Sequence, residues 1–319
     1  MKRYTILVGT ILAAYAALPG CSKNGAEPQS QGPAVVLGAG MADGETPTAE
    51  KATAADPVTR TAINPDDPFT AAIAGWETTG TPDYGAASTW QSGFTAVAGT
   101  AQPVQLTPQA YYNLDGKVKT YMKAWHPAGT LAADGTVTFA GTEDGTTDVM
   151  LTDVISGSSE DMQNKNLEFS HLLCQLRFRV RSATELTMKP TLTSLTVKEV
   201  QLPTGLNLVT DAVIYAPAAA FAVTGIVPGQ IRFETTAQGA GAPLLLRPFA
   251  GNMLTVDIVT SEGTYPGVVA TIDGDADFIP GKAYTITLTY NGHDSQPLGA
   301  TVSVAPWQDT AGGDIDLPL

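Results

Sequence analysis

Leu167–Arg181 reads LEFSHLLCQLRFRVR, and its second half alternates strictly. Leu172, Cys174, Leu176, Phe178 and Val180 share one face; Gln175, Arg177, Arg179 and Arg181 share the other. That is a half-buried strand with one wet side. The first half alternates in the opposite phase, with Leu167 and Phe169 apolar and Glu168 and Ser170 polar. A period of two cannot change phase without an extra residue or a bend. The reading places a bulge or kink between Ser170 and Leu173, in one long strand at the middle of a sandwich.

The rest of the chain supports an all-β protein. Of 319 residues only 15% are charged, while Gly (32) and Pro (22) are frequent. No long helical period interrupts the short strands, which are cut at turns by Gly and Asp. Ala283–Tyr290 is the clearest strand: Tyr284, Ile286, Leu288 and Tyr290 face in, and Thr285, Thr287 and Thr289 face out. Asp115-Gly116 and Asp134-Gly135 are hairpin signals. Strands are expected at Phe69–Trp76, Trp90–Ala98, Val118–Trp125 and around Asp148–Leu151. The length suits two sandwich domains, with a boundary near Ser182–Lys189 where the pattern restarts. The net charge of −14 repels phosphates, so nucleic acid is not expected as a partner.

The first residues read as a targeting segment. Lys2 and Arg3 precede the apolar run Tyr4–Leu18, which falls short of the roughly 20 residues a membrane span needs. It ends in Leu18-Pro19-Gly20-Cys21, which resembles the lipobox of bacterial lipoproteins; Pro19 departs from the usual small residue. Cleavage before Cys21 and lipidation of its thiol would hold the protein at the outer membrane. Ser22–Pro33 reads as a flexible tether. Ala34–Leu37 is a lone apolar run, a candidate first strand, and Gly38–Val58 returns to loop chemistry. Arg60, followed by Thr61, is the only Arg between residues 4 and 176. It is either a solvated loop residue or an isolated site for a trypsin-like protease.

Chemistry-bearing residues are sparse. Cys174 has no partner in the chain after Cys21 and reads as a small core hydrophobe. His126, His171 and His293 are scattered, with no Cys or carboxylate at ligand spacing. Asp273, Asp275 and Asp277 resemble a calcium loop. However, Phe278 stands where the turn Gly is needed, and no Glu follows at the right offset. A solvated loop is the simpler reading. Gly157-Ser158-Ser159 lacks the second Gly of a nucleophile elbow. Trp76, Trp90, Trp125 and Trp307 are expected in packing. No cofactor, metal or catalytic residue is expected, and the protein is not expected to be an enzyme.

Several segments together resemble the fimbrillin family, the subunits of type V pili in Bacteroidetes. They are Leu18–Cys21, Thr59-Arg60, Tyr112–Pro127, Asp148–Met150, Leu167–Val180, Phe278–Tyr284 and Val302–Trp307. The resemblance implies two tandem transthyretin-like β-sandwiches at 61–181 and 182–319, after a signal peptide (1–20) and a lipidated, removable piece (21–60). It also implies a maturation route: export as an outer-membrane lipoprotein, then a cut after Arg60 by an arginine-specific protease. That cut removes the first strand, and the C-terminal segment of another subunit, about Gly299–Leu319 here, fills the vacancy. The implied role is a fimbrial subunit in adhesion and biofilm formation, with other pilus subunits and a surface receptor as partners. Asp309-Thr310-Ala311 also matches the short O-glycosylation signal of these bacteria, which would place a glycan on Thr310. The alternative is a surface glycan-binding lipoprotein of β-sandwich modules, with exposed aromatics in a row. A sandwich-fold glycosidase is a third reading, but no spacing selects its two carboxylates.

Overall fold

The computed structural model describes residues 32–41, 63, 66–162, 165–272, 277–292 and 298–306. Among them every regular element is a strand. The first group is β1 (Leu37–Met41), β2 (Pro68–Thr78), β3 (Trp90–Val97), β4 (Gln102–Val104), β5 (Lys119–His126), β6 (Thr130–Leu131) and β7 (Thr136–Thr138). There follow β8 (Met150–Thr152), β9 (Ile155–Gly157), β10 (Lys165–His171), β11 (Cys174–Ser182), β12 (Leu192–Val200), β13 (Pro203–Asn207) and β14 (Ala212–Tyr215). The last are β15 (Ala219–Ala222), β16 (Gln238–Gly239), β17 (Leu244–Leu246), β18 (Met253–Thr260), β19 (Thr264–Ile272), β20 (Lys282–Tyr290) and β21 (Leu298–Pro306).

The organising stretch is two strands in two sheets. β10 lies between β8 and β1; β11 lies between β20 and β16, with β17 also on it. The phase change marks the place where the chain leaves one sheet for the other. Leu167 and Phe169 fill the first core, and Cys174, Leu176, Phe178 and Val180 fill the second. Leu173, at the exchange, is buried in a third. One residue out of phase is what a chain needs when its apolar face must turn towards a different core. This corrects the single kinked strand. Gln175, placed on the wet face by the alternation, is fully buried and accepts a hydrogen bond from Arg177 Nε at 2.6 Å.

The first sheet runs β3-β2-β5-β8-β10-β1-β4, with β9 on β5. It curls until its ends touch: Gly93 in β3 and Thr107 after β4 exchange both backbone hydrogen bonds at 2.8 Å. Phe69, Ile73, Phe94, Met122 and Phe169 pack inside the curl. The second sheet runs β15-β12-β18-β19-β21-β20-β11-β16, and its inward residues include Tyr284, Ile286, Leu288 and Tyr290, as the alternation of β20 predicts. A third sheet, β14-β13-β7-β6, takes two strands from each half of the chain. It covers a core of Trp76, Trp125, Val137, Leu173, Leu206 and Leu245.

Two local expectations change. Asp115-Gly116 makes a turn, with Val118 N–H on Asp115 O at 2.9 Å, but its flanks do not pair with each other: Tyr111 bridges Ala34. The first strand is Leu37–Met41 rather than Ala34–Leu37, so Gly38–Met41 is sheet and not loop. Its alternation is masked in the sequence by two glycines. Asp134-Gly135 does close the β6–β7 hairpin, with Gly135 at φ 79°.

Candidate functional site

The feature that stands out is the seat of β1. This strand precedes Arg60 in sequence, yet it is an interior stave of the first sheet. On one side it runs parallel to β10, from Leu37 beside Lys165 to Met41 beside Phe169. On the other it runs antiparallel to β4, with Leu37, Gly38 and Ala39 beside Val104, Pro103 and Gln102. The pairing extends outward at both ends: Val35 N–H donates to Ala110 O, Tyr112 N–H to Pro33 O and Met41 N–H to Gly99 O, each at 2.9 Å. Gln109 Nε2 caps Val35 O at 2.9 Å.

Side chains follow the period of two. Val35, Leu37 and Ala39 point into the first core and are 2%, 2% and 0% exposed, whereas Val36 is 61% exposed. Burying a Val or Leu contributes roughly 1.5–3 kcal/mol. Gly40 is required by close approach: a Cβ there would lie 2.5 Å from Gly99 O and 2.6 Å from Ala101 N. At Gly38 a Cβ would lie 2.5 Å from the Asn166 side chain and in ordinary contact with Gln102 O at 3.6 Å. The seat is thus a slot lined by two strand edges, deep at Leu37, shallow at Ala39 and narrow at Gly40. Emptied, it would present unpaired backbone groups on both sides and an open core, the condition under which a strand from elsewhere binds.

Cys21, Arg60 and Thr61 lie outside the described residues, as do Asp273, Asp275, His293, Trp307 and Thr310. Sequence order still places Arg60 between β1 and β2. The chain is described again at Ile63, which packs against the first core. Of the Asp273–Asp277 loop, Asp277 is described; its carboxylate accepts the Gly251 N–H at 2.8 Å, a structural use.

The remaining candidates fall into place as packing. Cys174 is buried with Sγ 3.6 Å from Leu246 O, and burial pushes its thiol up to about 12. Trp76 and Trp125 are buried, and Trp90 packs against the first core. The histidines hold one surprise: Met150 in β8 pairs with His171 on one side and His126 on the other. His171 Nδ1 sits 2.7 Å from Asp148 Oδ2, whose side chain is fully buried. His126 Nδ1 is 2.7 Å from Thr70 O. Desolvation lowers the His126 pKa below its ordinary value, against the opposing Thr70 hydrogen bond. Sequence reasoning missed this grouping because it depends on β8 lying between β5 and β10. Among the described residues no three His, Cys, Asp or Glu form a metal-binding group.

Solved structures share this all-β architecture. A candidate cell adhesion protein from Bacteroides uniformis aligns with a TM-score of 0.53 at 16% identity, covering 86% of this chain and 99% of that one. A fimbrial protein from Bacteroides vulgatus aligns with a TM-score of 0.51 at 12% identity, covering 75% and 93%. No curated protein sequence matches the chain. The fold is therefore that of the fimbrial β-sandwich proteins. The profile of the fimbrillin-like family matches residues 58–307, and the chain belongs to that family.

Proposed function

We propose that this protein is a structural, non-enzymatic subunit of a surface fimbria, made as an outer-membrane lipoprotein on Cys21 and polymerised after a cut between Arg60 and Thr61. One observation supports the reading above others: the only described strand before Arg60 is an internal stave, paired on both sides. Severing it removes Val35, Leu37 and Ala39 from the core and frees the facing edges of β10 and β4. The cut product is then incomplete, and a strand from another subunit completes it. We read the first and second sheets as the tandem transthyretin-like sandwiches of this family, at 61–181 and 182–319. Adhesion and biofilm formation are the expected outcome of the assembled fibre, through a surface receptor.

The experiment is proteolysis of the purified full chain with an arginine-specific protease, followed by N-terminal sequencing and size analysis. A new N-terminus at Thr61 and a ladder of concentration-dependent polymers are expected. A clean cut at Arg60 that leaves a stable monomer at high concentration contradicts the proposal.

A further inference from the structure

The pairing of β12 with β18 runs from Leu192 to Val197 and stops there. Its register with β15 shifts between Val197 and Val200, and within that shift Glu199 takes a φ of 56°. This is the left-handed region, which glycine occupies without strain and a residue with a Cβ does not. Strain of this kind is kept at binding sites when the surrounding structure enforces it. The segment after β17 lies alongside the parted strand, with Arg247 N–H donating to Gln201 O at 3.0 Å. Between them opens a cleft of about 330 Å³, lined by Glu199, Gln201, Arg247, Pro248 and Phe249 among others.

The polar groups of the cleft are arranged in advance. Arg247 Nη1 donates to Gln201 Oε1 at 2.7 Å, and Gln201 is fixed in turn by donating to Ala216 O at 3.1 Å. The guanidinium also lies over the Tyr215 ring at 5.3 Å. Arg247 is exposed, and among the described residues no carboxylate lies within ion-pair distance of it. A chain of net charge −14 thus keeps one oriented guanidinium with most of its donors unspent. Glu199 is likewise exposed and supplies the opposite charge. Phe249, stacked on Phe278 with centroids 4.3 Å apart, is a rigid apolar wall.

We propose that this cleft binds an acidic sugar, a pyranose ring carrying one carboxylate. The carboxylate meets Arg247 in a forked pair, ring hydroxyls donate to Glu199, and the C–H face of the ring lies against Phe249 and Pro248. Glu199 decides the class of ligand. A sulfated or phosphorylated polymer sets further negative charge against it, and a simple aliphatic carboxylate leaves it without a donor. One carboxylate beside several hydroxyls satisfies both charges. Such a sugar is the receptor chemistry for the adhesive role proposed above, but the cleft belongs to the uncut chain and does not depend on strand replacement.

Calorimetric titration of the uncut chain tests the site. The probes are the methyl glycosides of glucuronic, galacturonic and N-acetylneuraminic acid, each against its carboxyl-reduced counterpart. At least one acid form should bind about tenfold more tightly than its reduced form, and Arg247→Gln should abolish that preference. Glu199→Gln should weaken binding of the same acid sugar by about fivefold, because its hydroxyls lose a charged acceptor. Thermal unfolding midpoints equal to that of the parent show that both variants fold. Acid and reduced forms that bind alike, or no binding by any probe, overturn the proposal. Tighter binding by Glu199→Gln, or an aspartate-containing peptide that binds as well as the best sugar, shows that only a carboxylate is read and overturns it too. A chain that polymerises after the cut at Arg60 but binds no sugar loses this site and keeps the fimbrial reading; a chain that binds the sugar and never polymerises does the reverse.

Discussion

At the scale of single residues, two buried groups make testable statements about the core. Cys174 sits on the inward face of β11 with its thiol pushed up to about 12, so almost no thiolate exists near neutral pH. The native protein should leave this thiol unmodified by a thiol reagent over hours and react fully when unfolded; fast reaction in the native state would contradict its placement. His126 carries the opposite kind of signal. Burial lowers its folded pKa beneath the ordinary 6.5, so the unfolded chain takes up a proton at a pH where the folded chain does not. Stability on this account is full above 6.5 and falls as pH drops through the window beneath it. Asp148 and His171 lie in the same neighbourhood and modulate the effect. Denaturant unfolding between pH 7.5 and 5.5 should show a smaller loss of stability in His126→Gln than in the unmodified protein.

At the scale of elements, close packing ties each strand to its seat. Gly40→Val puts a side chain where a Cβ already approaches Gly99 O to 2.5 Å. It should destabilise the intact chain by about 1–3 kcal/mol in thermal unfolding. The same substitution should leave the product cut at Arg60 unaffected, because β1 is then gone. Lys123 joins β5 of the first sheet to the turn between β13 and β14. Its ammonium group is buried, donates to Leu208 O at 2.7 Å, pairs with Asp211 and lies over the Tyr84 ring at 4.4 Å. Asp211 is half exposed, and its removal leaves the buried cation with the Leu208 carbonyl and the Tyr84 ring alone. Asp211→Ala should cost about 1–3 kcal/mol in denaturant unfolding. A change within a few tenths would show that the backbone carbonyl and the ring suffice.

At the scale of the whole molecule, legibility in the sequence tracks how local the cause is. Tyr284, Ile286, Leu288 and Tyr290 announce β20 because a period of two is written in neighbours. The opposed phases around Ser170–Leu173 were equally legible, but their meaning was not. A kink in one sheet and a passage between two leave the same trace, and only the parallel pairing of β11 with β20 separates them. Gln175 is buried beside Leu245 and Ala283, its buried partners in β17 and β20, a fact that its alternation with Arg177 hides. The third sheet, drawn from both halves of the chain, depends wholly on distant pairings such as β7 with β13. The first strand was legible in outline through the apolar run Ala34–Leu37. Its true length was concealed by Gly38 and Gly40, residues that ordinarily mark loops and here permit close approach.

Backbone amide hydrogen exchange at β10 and β4 tests the central claim most directly. In the intact chain the amides that face β1 across the slot should be protected. After the cut at Arg60 and dilution to monomer they should exchange rapidly, and at polymer-forming concentration protection should return. Amides in β10 and β4 that stay equally protected in the diluted, cut monomer would mean that the slot is never open, and the account would fail.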